Sequence, residues 1–171
     1  MTTPILADAF RHHVWASLRL LDACAALDPA QLDATVPGTY GSILDTARHL
    51  VGADANYLWL LSDGRVDPVD EATMSIADLR ATMAAHGPIW DAVVRADLDA
   101  ERVLVRHRDD GSSFSAPLGI RLAQVVHHGT DHRSQICTAL TTLGITPPEI
   151  DVWDYAWSEQ RVTETPPTSP G

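Results

Sequence analysis

Residues 118–143, LGIRLAQVVHHGTDHRSQICTALTTL, combine the spacing of a long buried helix with an unusual density of histidine. Residues that share one face of the predicted helix recur every three or four positions. They are Leu118, Leu122, Val125, Gly129, His132, Ile136, Leu140 and Leu143. Gly144, followed by Pro147 and Pro148, predicts the helix end. His132 therefore falls on the buried face and His128 on its edge, where leucine would pack better, so these histidines call for an explanation.

Three further helices are predicted upstream, over about 4–27, 42–61 and 75–97. Ser42 and Ser75 are good N-caps, and each has an aspartate three residues later. The third of these helices contains the sequence HGP at 86–88, so we expect a kink or break there. A short C-terminal helix is predicted within EIDVWDYAWSEQ, 149–160.

The segment 101–117, ERVLVRHRDDGSSFSAP, changes from helical to alternating periodicity. Val103, Val105 and His107 alternate, DDG supplies a turn, and Phe114 lies on the return. This pattern predicts a small β-hairpin just before the last long helix. Four long helices with mostly short links favour an all-α four-helix bundle. We expect a single domain over residues 1–160 and a disordered tail over 161–171.

Composition excludes several classes of function. The 171 residues carry a net charge of −11, with no lysine and 12 arginines spread singly, which argues against a nucleic-acid partner. No apolar run is long enough for a membrane span, and the N-terminal stretch reaches charge too soon for a secretory signal. We therefore expect a cytoplasmic protein. Cys24 and Cys137 have no metal-binding spacing and are interpreted as small buried residues rather than a redox pair.

The histidines His128 and His132 are separated by one helical turn, which is how a helix offers two ligands to one metal ion. A stable site needs a third ligand, and the best candidate is His49, next to Leu50 on the core stripe of the second predicted helix. Asp45, one turn earlier, could accept the other imidazole N–H or could act only as a helix cap. Without a metal, the three rings could instead satisfy one another in a polar core.

Other polar residues near this motif are weaker candidates for a functional role. Gln124 and Gln135 share the helix edge of His128, whereas His127 and Asp131 point elsewhere and are typical of surface chemistry. One ring of the pair at 12 and 13 could face the site, but a solvated surface pair is the interpretation preferred here, and His86 and His107 are assigned no role. The sequence has no phosphate-binding loop, no nucleophile elbow and no HExxH motif, and no catalytic residue is assigned.

The sequence RHL at 48–50, the hairpin and HHGTDHRSQI at 127–136 together resemble the DinB/YfiT-like metalloenzyme family. The family motif is a histidine on the second helix, then His-x-x-x-His followed by Arg, a small residue and Gln. It falls here on His49, His128, His132, Arg133, Ser134 and Gln135. Ser134 replaces the usual glycine and His127 a frequent asparagine, and neither change touches a proposed ligand. The resemblance covers nearly the whole chain.

The resemblance implies a four-helix bundle with an up-down-down-up course. It also implies that the three histidines bind a divalent ion, nickel, zinc or iron, in a cleft at one end of the bundle. Many members are dimers, so we expect a homodimer. Characterised relatives include S-transferases and isomerases that use bacillithiol, mycothiol or glutathione.

Three neutral imidazoles would leave a divalent ion with its full charge and an open position. Such an ion lowers the pKa of a bound water from about 15.7 to about 7 and deprotonates a bound thiol. The leading hypothesis is a metal-dependent transferase that activates a low-molecular-weight thiol, mycothiol- or bacillithiol-like, for reaction with a small molecule. A metal-dependent hydrolase or isomerase without a thiol is the alternative, and a non-catalytic, stress-related metal-binding dimer is the third.

Overall fold

A computed structural model describes residues 5–62, 64–108 and 110–165. These residues are mostly helical, with one small antiparallel sheet of two strands. In chain order the elements are α1 (Ala7–Cys24), α2 (Pro29–Leu32), α3 (Ile43–Leu61), α4 (Ile76–Arg95), β1 (Val103–His107), β2 (Ser113–Pro117), α5 (Leu118–Thr142) and α6 (Val152–Ser158). The predicted helical class and the predicted hairpin are confirmed.

The starts of α3 and α4 are set by the capping boxes that the sequence predicted. The hydroxyl of Ser42 accepts the backbone N–H of Asp45, whose carboxylate in turn accepts the N–H of Ser42, and Ser75 and Asp78 repeat the arrangement. The break expected in α4 is absent, because the helix continues through Pro88. Buried side chains on both sides of the proline hold the two halves on one face. The four-residue α2 was not predicted.

The hairpin leads directly into α5. Val103 pairs with Pro117 and His107 with Ser113, so the strands are in register over their whole length. The first residue of α5, Leu118, follows β2 without a linker, and its N–H donates to the carbonyl of Arg102. The hairpin is therefore fixed against the N-terminal end of the helix that carries the histidine pair.

The long helices pack in pairs around one apolar core. Helix α1 packs against α4 and α5, and α3 packs against the same two helices. The largest fully buried side chains are Trp90, Phe10, Leu20, Leu21, Ile43, Leu50, Leu58, Leu79, Met83, Leu118, Ile136 and Leu140. Among the described residues, no helix is both long and apolar enough to cross a membrane. Of the expected disordered tail, 166–171 lies outside the described residues.

Candidate metal centre

Three histidines from two helices converge on one point. His49 comes from α3, and His128 and His132 lie one turn apart on α5. The Nε2 atom of His128 is 3.3 Å from Nε2 of His49 and 3.1 Å from Nε2 of His132. His132 is buried, whereas His49 and His128 are partly exposed. The structure thus brings together the three residues that the sequence singled out.

The spacing of the three rings fits a single small cation. Donor nitrogens about 2.0–2.1 Å from a tetrahedrally coordinated ion lie about 3.3 Å apart, close to the two measured separations. One ligand nitrogen from each ring lies within 4.8 Å of the others. A purely nitrogen donor set of this size suits zinc, nickel or iron.

Hydrogen bonds fix which nitrogen of His132 carries a proton. The side-chain oxygen of Gln135 accepts the backbone N–H of Tyr40 at 3.0 Å, which identifies that atom as an acceptor. The same oxygen is 3.0 Å from Nδ1 of His132, so this nitrogen must donate. The lone pair of Nε2 is consequently free and directed at the other rings. This is the tautomer that a metal ligand requires.

His49 is oriented by a residue that the sequence analysis did not select. A carboxylate oxygen of Glu71 lies 3.4 Å from Nδ1 of His49 and can only accept, so Nε2 of His49 is also left free. Glu71 comes from the connector between α3 and α4 and lies over Gly52, where an added Cβ would stand 2.4 Å from its other oxygen. Glycine at this position leaves the carboxylate room to reach the ring.

Two tyrosines border the cluster. The ring of Tyr40 stacks on His49 with centroids 4.0 Å apart and meets His132 edge-on at 5.5 Å. The ring of Tyr57 lies 6.5 Å from His128 on the other side. Because Tyr40 is 55% exposed, it only partly covers the site.

Burial favours the neutral form of the His128 and His132 rings. Burial lowers the pKa of His128 to about 4, and the neighbouring charges that His132 and His49 would carry act in the same direction. Burial likewise lowers the pKa of His132, against the effect of its hydrogen bond to Gln135. Neutral imidazole is the form that binds metal ions, so the lowered pKa values favour ligation at neutral pH.

The sequence model of the DinB family matches residues 1–166. The chain belongs to the DinB family. No protein of curated function matches it. The match includes all three histidines of the cluster, and the resemblance drawn from the sequence motif is confirmed.

The other polar residues considered near the motif of this DinB protein divide into two groups. Gln135 contacts His132, as described above. Asp45 caps α3 with Ser42, which was the plainer of its two interpretations. Gln124, His127 and Asp131 are exposed.

The interpretation of the histidines at 12 and 13 as a solvated pair was wrong. His13 is 1% exposed, and its Nε2 is 2.9 Å from a carboxylate oxygen of Asp54. His12 is half-buried, with Nε2 2.8 Å from the carbonyl of Ile150. His13 lies three residues after Phe10 and seven before Leu20, so helical spacing places it on the buried face of α1 with them.

Asp54 is the centre of a buried polar network that joins the four long helices. It accepts from Nδ1 of His86 at 2.6 Å and from the indole N–H of Trp90 at 3.0 Å, in addition to His13. Arg133, which follows His132 on α5, donates to Nδ1 of His13 at 3.0 Å. Because a guanidinium only donates, the proton of His13 must reside on Nε2 and point at Asp54. His13 is therefore a neutral bridge between a buried anion and a buried cation.

The electrostatics of the network follow from its burial and its hydrogen bonds. Burial alone would raise the pKa of Asp54, but the hydrogen bonds from His13 and His86 outweigh it and lower that pKa to about 2. Burial lowers the pKa of Arg133 to about 10, partly offset by the charge of Asp54. Both groups stay charged at neutral pH.

The two cysteines of this DinB protein are not linked by a disulfide. Burial raises the pKa of the Cys24 thiol to about 12 and also raises the pKa of Cys137. Both thiols are therefore protonated at neutral pH, and neither belongs to the histidine cluster. The protein has no activated thiolate of its own at these positions.

Proposed function

We propose that the protein is a divalent-metal-dependent transferase that activates a low-molecular-weight thiol, mycothiol- or bacillithiol-like, with His49, His128 and His132 as metal ligands. The observation that carries the metal part is the set of hydrogen bonds that leaves Nε2 of His49 and His132 unprotonated. In a polar core without a metal, buried ring nitrogens would be expected to pair with hydrogen-bond donors, so two free lone pairs facing a third ring would be unfavourable.

A bound zinc, nickel or iron ion would supply positive charge that lowers the pKa of a thiol or a water at its open position. The chain's own residues supply the geometry. Glu71 and Gln135 hold the ligand tautomers, and Tyr40 narrows the approach to the cluster from one side.

The thiol is inferred to come from solution, since Cys24 and Cys137 are protonated and lie outside the cluster. The relatives named above, which use small thiols, support the same conclusion. The rest of the proposal follows the family resemblance: one domain over 1–160, an up-down-down-up four-helix bundle, a homodimer and a cytoplasmic location. The pairwise packing of α1 and α3 with α4 and α5 supports the bundle.

The experiment that tests metal binding is plasma mass spectrometry of untagged protein after exposure to zinc, nickel or iron. We expect near-stoichiometric metal in the native protein and loss of it in His49→Ala and His128→Ala. His127→Ala is the matched control, because this exposed histidine is adjacent in sequence and outside the cluster. Absence of metal from the native protein, or retention in both ligand variants, would overturn the proposal.

The thiol reaction is tested with monochlorobimane as a generic electrophile, with and without added small thiols. We expect thiol-dependent turnover that His132→Ala removes while the far-ultraviolet circular dichroism is unchanged. Turnover unaffected by His132→Ala would exclude this chemistry at the cluster. Activity on esters or lactones with no thiol present would favour the hydrolase alternative instead.

A further inference from the structure

An arginine-lined pocket lies between α3, the hairpin and the start of α5. It has a volume of about 420 Å³ and is lined by Tyr57, Arg106, His107, Arg108, Phe114 and Arg121. None of the three pocket arginines forms an ion pair with a described residue.

Arg121 is the most unusual of the three because it is only 4% exposed. One terminal nitrogen donates to the carbonyl of Leu104 at 2.9 Å and lies 3.4 Å from that of Phe114. Its Nε–H is buried and has no hydrogen-bond partner among the residues that the structure describes. A buried cation is costly unless it is paired with an anion. The two carbonyls explain how Arg121 holds the hairpin, but they do not neutralise its charge.

The surroundings add positive potential. Arg106 and Arg108 are exposed at the mouth of the pocket. The first turn of α5 contains no acidic residue, whereas α1, α3, α4 and α6 each have one. The positive end of the α5 dipole is therefore not compensated by an acidic residue of the helix's own first turn, and it adds to the positive charge of Arg121.

The pocket adjoins the histidine cluster. Arg121 and His128 are seven residues apart on the same face of α5, which corresponds to about 10 Å along the helix. Tyr57 lines the pocket, and its ring lies 6.5 Å from that of His128. A small elongated molecule could place one end at each site.

We propose that this pocket binds the anionic end, a carboxylate or a phosphate, of the small molecule that reacts at the histidine cluster. Arg121 is the buried anchor, and Arg106 and Arg108 attract the anion at the entrance. The reactive part of this inference rests on the proposed function, whereas the anion binding does not require a metal.

The test is nuclear magnetic resonance of metal-free protein, following the Nε–H signal of Arg121 during titration with succinate, with neutral succinamide and with inorganic phosphate at constant ionic strength. We expect a saturable shift with succinate, with phosphate or with both, and none with succinamide. Whichever anion binds more tightly identifies the end group as carboxylate or phosphate. Arg106→Gln should weaken binding about tenfold, since it removes one charge-assisted hydrogen bond.

Arg121→Gln should abolish binding, with Arg19→Gln, an exposed arginine outside the pocket, as the control. If Arg121→Gln unfolds, Arg106→Gln alone decides the outcome. No saturable shift with either anion, or equal binding by native protein and Arg106→Gln, would overturn the subsite. Metal content measured on a second portion of the same protein, after exposure to zinc, nickel or iron, separates this failure from a failure of the proposed metal site.

Discussion

The carboxylate of Glu71 occupies the space that a side chain at Gly52 would need, with one oxygen 2.4 Å from the position of an added Cβ. The same carboxylate orients His49 through Nδ1. A glycine inside α3 is thus linked to the orientation of a proposed metal ligand three residues earlier.

We predict that Gly52→Ala weakens metal binding while it stabilises the helix. Alanine gains up to about 1 kcal/mol over glycine in a helix interior, but here it displaces Glu71 from His49. The melting temperature of the metal-free protein should rise, and the metal dissociation constant from competition with a chromophoric chelator should also rise. Unchanged metal affinity would show that Glu71 does not orient the ring.

Glu71→Ala should weaken metal binding by about tenfold, as is usual when the partner of a ligating histidine is removed. Glu71→Gln should have a smaller effect, because its amide oxygen can still accept the proton of Nδ1. Glu101→Ala is the matched control, since Glu101 is exposed and outside the cluster. The same chelator competition measures all three. An equal loss in the control would assign the effect to overall charge.

In Gln135→Met, the tautomer of His132 should no longer be fixed by a hydrogen bond from Nδ1. In the native metal-free protein, two-bond nitrogen–proton correlation spectra should show the proton of His132 on Nδ1, because only Nδ1 faces the amide oxygen of Gln135. In Gln135→Met the proton should redistribute to Nε2, and metal affinity should fall by about 10-fold to 100-fold. Gln124→Met, an exposed glutamine on the same helix, should leave both unchanged. A native spectrum with the proton on Nε2 would contradict the assignment.

Asp54→Asn should destabilise the fold by about 3–5 kcal/mol, because it leaves the buried Arg133 without its anion. In the folded protein the pKa of Asp54 is lowered to about 2, from an ordinary value near 4. The ionised carboxylate therefore makes its full contribution to stability at pH values above about 4. That contribution, about 2 kcal/mol, is lost as the pH falls from about 4 to about 2. Urea unfolding of native and variant protein across this acid range should show the gap narrowing, with exposed Asp33→Asn as the control. A gap independent of pH would mean that Asp54 is not ionised in the folded state.

Gly129→Ala should destabilise the protein by about 1–3 kcal/mol through overpacking. An added Cβ at this position would lie 2.4 Å from Cε1 of His13, and that ring is held between Asp54 and Arg133. Gly119→Ala should instead be close to neutral or stabilising, since the atoms nearest to its added Cβ belong to Ala100 and lie at 3.4 Å, an ordinary contact distance. Thermal unfolding of both variants checks the contrast. Equal stability of the two would mean that His13 can move aside.

Periodicity and capping predicted the long helices and the hairpin because those signals are local. The histidine cluster could also be predicted from the sequence, since His128 and His132 are one turn apart and His49 lies mid-helix beside the core stripe. Glu71 could not be found in this way, because it lies in a connector without periodicity and reaches His49 only through the packing of the chain. The family motif supplied Gln135 as a pattern but not its contact with Tyr40.

The position of Asp54 in the sequence also indicated a buried polar residue, but the sequence prediction did not include it. It lies on the buried stripe of α3 between Val51 and Leu58, and His86 lies between Met83 and Trp90 on the stripe of α4. A polar residue on an apolar stripe was the argument applied to His132. Applied equally to these two positions, it would have predicted a second polar cluster, although not its partners.

The side chains of His132 and Arg133 are consecutive on α5 and serve different parts of the molecule. One faces the other two histidines, and the next donates into the interior at His13. Any rotation of the helix that suits one residue moves the other. Substitutions in the interior around His13 and substitutions at the histidine cluster should therefore be epistatic, and in an evolving lineage the two clusters would be inherited together.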